Sequence, residues 1–100
     1  MAAQGFEWDE TKNRANITKH QIDFDDALKV FDGFVHVFRS DRFGEERFVA
    51  IGEIEPGLTI AVVYTQRENR QRIISARRAR KNEERDYRAE VKRRTPPGTD

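Results

Sequence analysis

Residues 58–65, Leu-Thr-Ile-Ala-Val-Val-Tyr-Thr, form a near-continuous apolar run. The turn signal Glu55-Pro56-Gly57 precedes it, and polar residues follow it. A short run with apolar residues at both odd and even positions predicts a strand buried on both faces. Such a strand belongs at the centre of a sheet. It needs neighbouring strands on both sides and cover above and below. The 100 residues of the chain make one domain, 1–100, with room for one modest core. The rest of the chain must therefore supply a sheet around residues 58–65 and helices to cover at least one of its faces.

The flanking segments fit that demand. Phe6-Glu7-Trp8 alternates and predicts a short strand. Asp9 is a good N-cap for a helix over 10–19, whose main apolar residues are Ala15 and Ile17. Asn13, Asn16, Ile17 and His20 share one side of it. Asp23 caps a second helix over 24–31, in which Phe24, Ala27, Leu28 and Phe31 make a core-facing stripe and Gly33 a left-handed stop. Strands are expected over 34–38 and 46–52, then 58–65, then 71–76 after a hairpin loop at Glu68-Asn69-Arg70. Short turns join the last three strands, which predicts an antiparallel meander. A final helix over 80–94 has a thin stripe of Tyr87 and Val91. Residues 1–5 and the Pro96-Pro97-Gly98 tail, 95–100, are expected to be loose. The predicted fold is α+β. Two N-terminal helices lie on one face of a twisted antiparallel sheet, and the other face is partly open or covered by the C-terminal helix.

Charge points to function more directly than hydropathy does. The net charge of +1 hides an asymmetry: residues 1–50 carry 7 Lys/Arg against 10 Asp/Glu, and residues 51–100 carry 12 against 8. The basic half concentrates Arg67, Arg70, Arg72, Arg77, Arg78, Arg80 and Lys81 around the last strand. Guanidinium groups bind phosphate in a planar, bidentate way, so a cluster at a sheet rim predicts a polyanion partner; a solvated basic face is the plain alternative. The chain has no cysteine, which rules out a disulfide frame and thiolate chemistry and suits a reducing cytoplasm. No apolar run reaches membrane length and no signal peptide is evident. His20 and His36 lie far apart with no metal-ligand spacing, and there is no Gly-rich phosphate loop or nucleophile elbow. Neither a metal nor another cofactor is expected.

The remaining inventory suits RNA phosphodiester cleavage without metal. Arg stabilises the phosphorane, while His, Glu, Lys or Tyr moves the protons. His20, the natural proton-transfer candidate among these, also fits a helix C-terminus. His36 fits a packed or edge position in an aromatic strand. Tyr87 fits a core stripe, and Lys19 either a solvated helix end or a phosphate contact.

An ordered set of segments carries a family resemblance. It comprises Phe6-Glu7-Trp8-Asp9, Asn16 with Lys19-His20, Asp23-Phe24-Asp25-Asp26-Ala27 and Glu46-Arg47-Phe48-Val49-Ala50-Ile51-Gly52. Tyr64-Thr65-Gln66-Arg67 and Arg72-Ile73-Ile74-Ser75-Ala76-Arg77-Arg78-Ala79 follow, with Glu83 and Tyr87. Over residues 6 to 88 the chain resembles the BrnT toxins of bacterial type II toxin–antitoxin systems. The resemblance implies a RelE-like fold and a ribonuclease that inhibits translation. It also implies neutralisation by a BrnA-type antitoxin, through which the complex reaches DNA. On this reading Arg67 and Arg77, at the ends of strands joined by a short hairpin, hold the scissile phosphate. Lys19, His20, Glu83 and Tyr87 are proton-transfer or positioning candidates; Arg70, Arg72, Arg78, Arg80 and Lys81 contact the RNA backbone. The antitoxin is expected across residues 67–87. A non-catalytic nucleic-acid-binding module using the same basic rim is the alternative, and a pure interaction protein is a third.

Overall fold

The computed structural model describes residues 5–95; the expected loose residues 1–4 and 96–100 lie outside it. The elements run β1 (Phe6–Glu7), α1 (Glu10–His20), α2 (Phe24–Ala27), β2 (His36–Arg39), β3 (Phe48–Glu55), β4 (Leu58–Arg67), β5 (Arg70–Arg78) and α3 (Lys81–Arg94). They form an α+β domain with one five-stranded sheet in the order β1-β5-β4-β3-β2. Strands β2 to β5 are the expected antiparallel meander. The first strand adds a parallel edge, with Phe6 opposite Gln71 and Glu7 opposite Arg72, so the sheet is mixed. Parallel pairing requires a long crossover. Here the crossover holds both N-terminal helices and most of the meander.

β4 is central and buried on both faces. On one face Ile60, Val62 and Tyr64 join Ala50, Ile73, Ala76, Phe24, Ala27 and Val30 in the larger core. On the other, Ala61 joins Val49, Ile51 and Tyr87, with Phe34, Val63, Ala79 and Val91 packed around them. The first two helices cover the larger core and α3 covers one end of the opposite face.

α1 has few apolar side chains and is held by two buried asparagines instead. The Asn13 Oδ1 accepts from the Phe24 backbone N–H at 2.9 Å and its Nδ2 donates to Asp23. The Asn16 Nδ2 donates to the backbone oxygens of Ile22 (2.9 Å) and Ala76 (2.8 Å), and its Oδ1 accepts from the Ala76 N–H. Asn16 thus bonds β5 along the edge that β1 leaves uncovered. α1 ends at Gln21 in the left-handed conformation, φ 59°.

The second helix departs from its predicted stripe. It is α-helical only through Ala27, then tightens into a 3-10 turn over Leu28–Phe31. A period of three brings Phe24, Ala27 and Val30 into line, and these three are the fully buried residues. Leu28 and Phe31 are half-buried at the flank, where Phe31 meets Phe6 and Tyr64. The turn ends at Asp32 in the right-handed region, and Gly33 is not left-handed. Gly52 is the glycine that packing demands: a Cβ there would strike the Val30 side chain and press on the backbone oxygens of Val30 and Phe34.

Candidate active site

Cross-strand partners share a face of the sheet. Arg77 pairs with Ala61 and Ser75 with Val63, so both stand on the face that α3 partly covers. Between these pairs and Tyr64–Ile73 lies a β-bulge that leaves Ile74 without a partner. Beyond the N-terminus of α3 this face is open. Two hollows lie there and share Ser40, Val49, Arg77 and Arg80. One, of about 400 Å³, adds His36, Phe38, Asn82, Glu83 and Asp86. The other, of about 200 Å³, adds Arg42, Arg47, Val63, Ile74 and Ser75. Together they make one groove, with Arg77 and Arg80 at its middle.

Arg77 makes more hydrogen bonds than any other cation lining the groove among the described residues. Its Nη1 and Nη2 donate to the two carboxylate oxygens of Glu83 at 2.8 and 2.9 Å, and Nη1 also reaches the Arg78 backbone oxygen at 3.3 Å. Both side chains are well covered, 19% and 7% exposed. Glu83 also accepts from the Arg80 backbone N–H at 2.8 Å, closing the first turn of α3. The Arg77 hydrogen bond, with the Arg80 N–H, holds the Glu83 carboxyl below the usual carboxylate range despite burial. The same bond raises Arg77 further. A carboxyl so stabilised in its charged form is a poor proton acceptor. The two bonds to Glu83 fix the orientation of the Arg77 guanidinium.

A guanidinium has five N–H donors in a planar fork. Three are engaged here. The Nε–H and one Nη2–H form the remaining side-on edge, unbonded among the described residues, and that edge can take two oxygens of a phosphate.

The structure separates several residues that the sequence reading put together. Arg67 pairs with Arg70 at the hairpin, six positions along β4 from Ala61, the partner of Arg77. At about 3.3 Å per residue that is roughly 20 Å. Arg67 and Arg77 therefore cannot hold one phosphate. The hairpin joins the other end of the strand pair. Arg67, Arg70 and Arg72 do lie on the groove side by register. Arg72 is tied to Glu7 at 3.0 Å and locks β1 to β5. Arg78, opposite Ile60, stands on the other face. Lys81 is exposed and lines neither hollow. Lys19 and His20 close α1, which packs on β5 with the larger core, and neither lines the groove. Tyr87 is a core residue set edge-on to Phe34, centroids 5.9 Å apart.

His36, Phe38, Arg42 and Arg47 line the groove; the sequence suggested a packed or edge position for His36 and singled out none of the four as a site residue. Alternation puts His36 and Phe38 on one face of β2. Which face that is depends on the register, His36 opposite Ile51 and Phe38 opposite Val49. No group of three His, Cys, Asp or Glu side chains suited to a metal occurs among the described residues. No helix among them is long and apolar enough to cross a membrane.

A mixed sheet with a cationic groove, whose central guanidinium is braced from behind, defines a small α+β protein shaped for a phosphate backbone. Residues 8–83 match the family model described as "Ribonuclease toxin, BrnT, of type II toxin-antitoxin system". The chain also resembles the crystal structure, at 1.1 Å resolution, of the Brucella abortus ribonuclease toxin BrnT. Sequence identity is 33% and the TM-score 0.63, over 76% of this chain and 96% of that one. No curated protein matches. The chain belongs to the BrnT family of ribonuclease toxins.

Proposed function

We propose that the groove around Arg77 is the cleavage site of an endoribonuclease that acts on mRNA without a metal and so inhibits translation. The observation that carries this reading is the Arg77–Glu83 pair. It fixes a guanidinium in an open groove and leaves its side-on edge free. In the reaction the ribose 2′-oxygen attacks phosphorus and the bond to the 5′-oxygen breaks. The products are a 2′,3′-cyclic phosphate and a 5′-hydroxyl. Arg77 stabilises the charge that builds on the phosphorane oxygens. His36, in the same hollow, is the proton-transfer group, a role better suited to its position than to that of His20. Arg47 and Arg80 hold flanking phosphates, and Arg67 and Arg70 take the strand further along the face. A BrnA-type antitoxin neutralises the enzyme by covering residues 67–87, and DNA binding by the complex belongs to the antitoxin.

The test is incubation of purified protein with single-stranded RNA in the presence of a chelator. Cleavage with cyclic-phosphate ends is expected. Arg77→Ala should lose about 10²–10³-fold in rate. Wild-type cleavage by that variant would place the site elsewhere. Binding without products would make the chain a nucleic-acid-binding module.

A further inference from the structure

The tip of the β2–β3 hairpin carries a residue the fold does not use. Arg42 and Glu45 exchange both backbone hydrogen bonds, at 2.9 and 2.8 Å, and enclose the two-residue turn Phe43-Gly44. Both turn residues are left-handed, φ 52° and 74°. This is the turn for which Asn-Gly is the favoured pair, and a bulky aromatic at its first position is a conformational outlier. Phe43 gains no burial in exchange: it is 90% exposed. Arg42 stands beside it, with its guanidinium carbon 5.5 Å from the ring centroid. Arg42 also lines the groove together with Arg47, Ser75 and Arg77.

We infer that Phe43 is a base-stacking residue, on which a nucleobase flanking the scissile phosphate rests while Arg42 and Arg47 hold the neighbouring phosphates. Single-stranded RNA is recognised by this combination of guanidinium groups for the backbone and an aromatic face for an unstacked base. The closed hairpin turn holds the ring clear of the domain, beside the phosphate track. Backbone strain kept where the surrounding bonds over-determine it is a mark of a functional position. This inference rests on the groove being the RNA site.

Phe43→Asn suits the left-handed turn and removes only the ring, so its melting temperature should equal or exceed that of the wild type. Binding is read with a short single-stranded RNA whose riboses are 2′-O-methylated, and cleavage with its unmodified counterpart. Phe43→Asn should bind about 5- to 150-fold more weakly and raise KM in proportion, with kcat little changed. Phe43→Tyr should restore both. Replacing nucleotides one at a time with abasic residues should find a position at which wild type and Phe43→Asn bind alike. Equal binding by wild type and Phe43→Asn on intact RNA would overturn the inference, as would the lack of any such abasic position. Arg77→Lys, measured alongside, separates the two readings. If it loses turnover while Phe43→Asn does not change, the groove stands and the stacking role falls. If neither changes, both fall. If Phe43→Asn leaves RNA binding intact and weakens the antitoxin complex, the ring serves a protein partner and the inference is refuted.

Discussion

Replacing Glu83 by Gln tests whether this carboxylate braces Arg77 or moves a proton. The native carboxylate accepts three hydrogen bonds, two from Arg77 and one from the Arg80 N–H. A glutamine oxygen can keep the Arg80 bond and the one to Nη1. Its amide nitrogen would then meet Nη2 donor to donor. One charge-assisted bond is lost, and a largely covered guanidinium is left facing a neutral group. Such a bond contributes about 1.5–3 kcal/mol. A loss of about 2–3 kcal/mol follows, below the 3–5 kcal/mol typical of breaking a fully buried pair. For a domain of this size that lowers Tm by about 8–24 °C. The pH dependence has a definite sign. The folded carboxyl lies below its ordinary value, 4.5. Its stabilisation is therefore complete above that value and is lost as pH falls through the depressed folded one. The gap between wild type and Glu83→Gln in thermal melts should be constant from neutrality to about pH 5 and close at lower pH. Cleavage should fall about 10²-fold as Arg77 loses its alignment, with the acid limb of the kcat profile in place. If that limb disappears in Glu83→Gln, Glu83 is the general base and the bracing role is wrong. If Tm is unchanged, the ion pair does not contribute to the fold.

Three further outcomes follow from the fold and the groove. Arg67→Ala should weaken RNA binding and lower its salt dependence while cleaving at near wild-type kcat, measured by titrations at several salt concentrations; a collapse in kcat would return Arg67 to the scissile phosphate. Asn16→Asp places a carboxylate against the Ile22 and Ala76 carbonyls and should cost about 2–3 kcal/mol in denaturant melts, whereas wild-type stability would mean that α1 does not depend on this contact. Gly52→Ala should cost about 1–3 kcal/mol by the same assay, because its methyl meets Val30 and two backbone oxygens, and a neutral result would show that the 3-10 turn can move aside.

The order of the elements was legible wherever side chains act locally. Caps at Asp9 and Asp23, the double-sided apolar pattern of β4 and the Pro56-Gly57 turn are short-range signals, and each element they predicted is present. What depends on long-range register was not legible. Arg67 and Arg77 look adjacent when only the hairpin is considered. The pairing of β4 with β5 puts them far apart. His36 reads as a packed histidine until the β2–β3 register places it on the groove face with Phe38. The tightening of α2 into a 3-10 turn, which exchanges Leu28 and Phe31 for Val30 in the core, depends on the fit against β3 rather than on helix periodicity. Glu83 was a candidate from the sequence, and it lines the groove. Its three donors depend on how β5 meets α3, which no local pattern shows.

The asparagine that seals β5 also limits how copies of this chain can associate. On the β1 side the sheet presents only two residues of strand, and Asn16 occupies the backbone of Ala76 beyond them. On the other side β2 offers four residues, with Val37 and Phe38 exposed. In the language of polymer chemistry, the sheet is a monofunctional unit. Edge-to-edge pairing through β2 consumes the one reactive end of each copy and stops at two. A bifunctional sheet, open at both edges, would propagate into filaments.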